Sequence, residues 1–70
     1  MIITNSKVVI APSEQLSDMR LARIVGRHGR VIQVLMNEKR KNKGYIIHFP
    51  KSFLGEKDWF IPLESVQYDE

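Results

Sequence analysis

Two glycines three residues apart, set between β-branched runs, constrain this chain more than any other feature: Ile24-Val25-Gly26-Arg27-His28-Gly29-Arg30-Val31-Ile32-Gln33-Val34. Glycine frees the backbone and lets another chain approach closely. Arginine brings a permanent charge and a fork of donors. A segment built this way either forms a tight turn leading into a strand or presents cations to a polyanion.

The residues after Gly29 decide between those uses. As a strand, Ile32, Val34 and Met36 share one face, with Val31 and Leu35 on the other. As a helix, Val31, Val34, Leu35 and Glu38 fall on one side. The density of β-branched residues favours the strand. Asn37 to Gly44 is polar throughout and ends in Asn-Lys-Gly, which predicts a hairpin loop. Tyr45 to Phe49 then reads as the returning strand, with Tyr45, Ile47 and Phe49 on one face and Pro50 ending it.

Similar punctuation runs through the rest of the chain. Lys7-Val8-Val9-Ile10 is a β-branched run stopped before Pro12. Ser13 is placed to cap a helical stretch within 13–23, where Leu16, Met19 and Ala22 have helical spacing. A loop over 51–57 turns at Gly55, and Asp58 to Ile61 forms a fourth strand before Pro62. Leu63-Glu64-Ser65 reads as one helical turn and Val66-Gln67-Tyr68 as a closing strand. Five short strands at close spacing predict a mainly β fold, a small barrel or sandwich.

Seventy residues leave room for one domain, 1–70. A chain this short buries only about 60% of the surface that its unfolded form exposes. It contains no cysteine, so neither a disulfide nor a thiolate metal site reinforces it, and a reducing cytoplasm is the expected location. The apolar fraction of 43% and charged fraction of 27% are those of an ordinary folded domain. No apolar run approaches a membrane span, and the first residues lack a signal-peptide pattern, so no membrane association is expected.

Charge is distributed unevenly along the chain. Residues 1–19 carry a net −1, residues 20–43 a net +7 and residues 44–70 a net −3. The basic third holds the candidate nucleic-acid-binding residues Arg23, Arg27, His28, Arg30, Lys39, Arg40, Lys41 and Lys43. Charge runs are often just solvated loops. Here they come from two segments that a barrel would bring together, and neutralising phosphates releases counterions. The expected partners are therefore a nucleic acid or an acidic protein surface.

The aromatic residues offer an alternative surface. Tyr45, Phe53 and Phe60 are candidates for an exposed patch that binds a partner protein, with Tyr45 and Phe53 also able to stack on bases. For Phe49, Trp59 or Phe60 a core role is the plainer expectation, with Phe60 on the strand face opposite Trp59 and Ile61, so one of those two faces is partly exposed. His28 and His48 have no Cys or carboxylate at ligand spacing, so no metal is expected. With no nucleophile elbow, no phosphate loop and little volume to spare, the chain is expected to be non-catalytic, without cofactor or small-molecule substrate.

The order of these elements resembles SH3-like barrels, and within them the KOW-type modules of ribosomal and transcription proteins and the photosystem I accessory subunit fold. Gly26, Gly29, Val31 and Val34 match the KOW-like turn and strand. Ile47 and Phe49 resemble the central strand, and Trp59 to Val66 resembles the closing strand with its helical turn. The resemblance implies a five-stranded barrel with a long, partly helical first loop, acting as a binding module. The stretch from Ile10 to Gly29 is longer than usual for KOW modules, so that family's contact loop does not carry over by residue. Ile24 to Leu35 is also similar to the helix–GxxG–helix of KH domains, which would place Arg27 and His28 against single-stranded RNA.

Overall fold

Short extended runs broken by turn residues assemble into one antiparallel sheet. The computed structural model describes residues 2–39 and 41–69. Its strands are β1 (Lys7–Ile10), β2 (His28–Leu35), β3 (Gly44–Phe53), β4 (Glu56–Pro62) and β5 (Val66–Tyr68). The order across the sheet is β4-β3-β2-β1-β5, and every pairing is antiparallel. Among the described residues no register joins β4 to β5, so the sheet has two edges and is not closed by hydrogen bonds into a barrel. The Cα radius of gyration, 11.0 Å, is that of a compact chain of this length. Among the described residues no helix is long and apolar enough to cross a membrane.

Among the described residues the one α-helix lies in the connection from β1 to β2. Ser13 Oγ accepts from the Leu16 amide at 3.1 Å and caps α1 (Glu14–Asp18). The helix stops at Arg20, whose φ of 62° is left-handed; Arg20 N then donates to Ser17 O and Leu21 N to Leu16 O. That paired arrangement closes a helix end and brings Leu16 and Leu21, both buried, together. A 3-10 turn, Ala22–Ile24, leads on to Gly26 at φ 87°. The helical stretch is thus shorter than the 13–23 spacing suggested, and Met19 lies on the surface.

Residues 28–35 are a strand, so the helix–GxxG–helix implied by the KH resemblance is not formed. The strand does not alternate as its sequence suggests. A bulge between Val31 and Gln33 breaks the register, and Ile32, Gln33 and Val34 are exposed in succession while Val31 is buried.

Pro50 does not end the returning strand. The ladder to β4 is interrupted between His48 and Phe53, so the N–H that proline lacks is not needed there, and the chain stays extended to Phe53. The loop expected over 51–57 shrinks to two residues, Leu54 and Gly55, at φ 51° and 85°. Two positive φ values match the right-handed twist of the flanking strands.

The core lies on the inner sheet face beneath the β1–β2 connection. Val8 and Ile10, Val31, and the alternate residues Tyr45, Ile47 and Phe49 meet Leu16, Leu21 and Ile24 from the connection, with Ile61 and Val66 closing the far side. Phe53 joins them and meets Trp59 edge to face, ring centroids 5.6 Å apart. The burial of Tyr45 and Phe53 overturns the expectation that they form an exposed pair. A core this small recruits every large apolar side chain on its inner face.

Candidate polyanion-binding groove

The antiparallel register builds the site. Lys7 on β1 is opposite Arg30 on β2, Arg30 is opposite His48 on β3, and His48 is opposite Asp58 on β4. Direct cross-strand partners point to the same face. All four are exposed, so they form one row across the outer surface. Asp69, whose amide donates to the Lys7 carbonyl at 3.1 Å, extends the row beyond β1. Its charge order is carboxylate, lysine, arginine, histidine, carboxylate.

Each histidine is held by an acid. His28 Nδ1 lies 2.7 Å from Asp69 Oδ2, and His48 Nδ1 lies 2.6 Å from Asp58 Oδ1. Both imidazoles remain half exposed or more. Among the described residues these are the only two contacts between a basic and an acidic side chain within 4.0 Å, so no described lysine or arginine is paired with a described carboxylate. Arg30 Nη1 donates to the Asn5 carbonyl at 2.9 Å, which steadies it without cancelling its charge. Arg27 lies over the Phe53 ring, 5.5 Å from its centroid, a cation–π contact that fixes the guanidinium.

Two shallow grooves meet at this end of the sheet, one on the outer face and one around its rim. One is lined by Lys7, His28, Gly29, Arg30, His48, Pro50 and Asp69, the other by Arg27, His28, Phe49, Pro50 and Lys51. They share His28 and Pro50. Gly29 supports the floor: on the inner side a Cβ there would come within 2.5 Å of Ile47 Cγ2, so no side chain fits.

The structure brings together Arg27, His28 and Arg30 of the expected basic set, and adds Lys7, His48 and Lys51. Arg23 is exposed on the 3-10 turn before Gly26 and lines neither groove. Lys39, Lys41 and Lys43 are exposed in the loop after β2, and Arg40 lies outside the described residues. The three lysines do not join the groove. The extended chain from Arg30 to Leu35 separates the two groups by roughly 15 Å at the usual strand rise. The expected convergence of the two basic segments is therefore corrected: an antiparallel hairpin puts the start of its first strand and its connecting loop at opposite ends.

The aromatic patch is corrected as well. Tyr45 and Phe53 are core residues, and only Phe60 of the three keeps partial exposure, beside Gln15, Asp18, Met19, Asn42 and Pro62. No cluster of three metal-ligating side chains occurs among the described residues. Comparison with protein-family models, with curated proteins and with solved structures found no match to this chain.

Proposed function

We propose that the protein is a small non-catalytic binding module of SH3-like architecture that holds a polyanion, nucleic acid within a larger assembly, on its outer sheet face. Support for the architecture comes from the strand order, the long and partly helical β1–β2 connection, and the 3-10 turn Leu63–Ser65 just before β5. Among the described residues the edge strands β4 and β5 are not paired to each other.

One observation carries the functional reading: Lys7 and Arg30 stand side by side in a cross-strand row, and the grooves beside them add Arg27 and Lys51. Four cations in adjoining grooves, none paired to a described carboxylate, suit a ligand that carries regularly spaced phosphates. The buried Tyr45 and Phe53 leave base stacking out of this mode, so phosphate contacts dominate and sequence preference is weak. Asp58 and Asp69 bound the row and limit how far a phosphate backbone can extend along it.

The test is a fluorescence-anisotropy titration with single- and double-stranded oligonucleotides at two salt concentrations. Binding that weakens with salt, and that is lost in Arg27→Gln/Arg30→Gln, supports the reading. Absence of salt-sensitive binding at micromolar protein removes it.

A further inference from the structure

We propose that the outer edge of β2 at Ile32–Leu35 receives an extended, acidic segment of a partner protein as an added strand. This inference stands apart from the groove, because it concerns the other end of β2.

Strand pairing leaves this stretch half satisfied. On one side, Gln33, Val34 and Leu35 pair with Ile46, Tyr45 and Gly44 of β3. On the other, β1 covers only His28 to Arg30, and the chain before it reaches Val31 through Asn5 N to Val31 O and Val31 N to Ser6 O. There the covering segment turns away. Asn5 has a φ of 75°, a left-handed conformation that asparagine tolerates, and Ser6 N donates back to the Ile3 carbonyl. Among the described residues, Ile32–Leu35 has no strand on that side.

The composition of this edge differs from the others. Proteins guard sheet edges with charges, proline or short strands. β4 carries Glu56, Lys57 and Asp58 and ends in Pro62, while β5 is three residues long and runs into Asp69. Ile32-Gln33-Val34-Leu35 has no charge, no proline and no glycine, and the bulge lies only at its start, leaving Gln33 to Leu35 in regular register with β3. Ile32 and Val34 are 43% and 37% exposed, and Ile3 nearby in the chain path is also exposed. Such an edge is a template for strand addition, in which backbone hydrogen bonds give affinity and alternate side chains give selectivity.

Charge selects the occupant. Arg30 stands at one end of the stretch and Lys39, Lys41 and Lys43 follow the other, with Glu38 the only carboxylate in residues 30–43. A second copy pairing antiparallel through the same edge would set Arg30 of each chain against the lysine loop of the other, which is repulsive. A strand with alternating carboxylate and β-branched side chains meets both requirements.

The test uses the full chain, labelled with 15N, and three blocked hexapeptides: alternating Glu and Val, alternating Lys and Val, and the Glu–Val sequence with alternate backbone nitrogens methylated. The expected result is amide shifts at residues 32–35 with the Glu–Val peptide, and affinity at least about tenfold weaker for the other two. Ile32→Glu, at an exposed position, should leave the remaining spectrum in place and weaken the Glu–Val peptide about tenfold. The proposal is overturned by any of several results: equal binding of the methylated peptide, shifts confined to Lys7, His28 and Arg30, no shift at millimolar peptide, shifts at 32–35 caused instead by an oligonucleotide, or a dimer in sedimentation that Ile32→Glu dissolves.

Discussion

Arg30 and His48 are direct cross-strand partners on the exposed face, with Lys7 opposite Arg30 on its other side and Asp58 opposite His48 on its other side. The basic groove follows from register. If Arg30 contacts a phosphate, Arg30→Gln should lower the slope of log affinity against log salt by about 1 and weaken all oligonucleotide sequences alike. Lys41→Gln, at the far end of β2, should change that slope little. Anisotropy at four salt concentrations measures both.

Three glycines should respond differently to alanine. At Gly44 a Cβ would press on the backbone carbonyl of Ile61, and at Gly29 on Ile47 and the His48 carbonyl, so both variants overpack the interior. At Gly26 the space is open and only the φ of 87° resists. Gly44→Ala and Gly29→Ala are expected to cost about 1–3 kcal/mol, with Gly44→Ala the larger because a paired backbone cannot move aside. Gly26→Ala should cost about 1 kcal/mol through backbone strain. Urea unfolding gives the ranking.

Leu54 is 74% exposed and occupies a left-handed position in the two-residue turn between β3 and β4. Leucine gains nothing there and carries the steric cost of φ 51°. Leu54→Asn creates the Asn-Gly pair that this turn prefers, and should stabilise the protein by about 0.5–1 kcal/mol without changing the urea m-value. A lower unfolding midpoint would contradict the turn geometry.

The same leucine explains part of what the sequence conceals. The strands at Lys7–Ile10, Tyr45–Phe49, Asp58–Ile61 and Val66–Tyr68 are legible from β-branched and aromatic runs between breakers, and Ser13 is legible as a cap. Leu54-Gly55 lacks the residues that announce a hairpin, so the turn reads as a longer loop. Pro50 reads as a stop because its tolerance depends on an interrupted ladder that only the fold reveals. Alternation already puts Tyr45 beside Ile47 and Phe49, and that signal outweighs its polar hydroxyl. For the site, Arg27, His28 and Arg30 stand out by local charge. Lys7, His48 and Lys51 do not, because pairing His48 with Arg30 requires knowing where the β2 bulge falls.

Tyr45 gives the fold an alkaline limit. Burial, and then the charge of Tyr68, push its phenol above the ordinary value of 10.0. The native state therefore keeps this proton at a pH where the unfolded chain has released it. The unfolded state then binds fewer protons, and stability falls as pH rises through the phenol range. Below that range Tyr45 imposes no such loss. Urea midpoints should decline above about pH 10, and the decline should be shallower in Tyr45→Phe.

Ser13 and Ser65 join the two ends of the chain's interior. Their hydroxyls are hydrogen-bonded, Ser13 Oγ also accepts from the Leu16 amide, and Ser65 is the one fully buried polar residue among those described. The Ser65 carbonyl accepts from Ala11 at 2.7 Å, so the 3-10 turn is tied to the β1–β2 connection twice. Ser13→Ala removes the helix cap and leaves the Ser65 hydroxyl buried without this partner, a loss of about 1–2 kcal/mol. Ser65→Ala leaves the cap intact and should cost less. Once either hydroxyl is gone, the other no longer has that bond to lose, so the double variant should be less destabilised than the two single losses added, by about 0.5–1 kcal/mol. A double-mutant cycle in urea measures the difference, and strict additivity would show that the pair contributes nothing jointly.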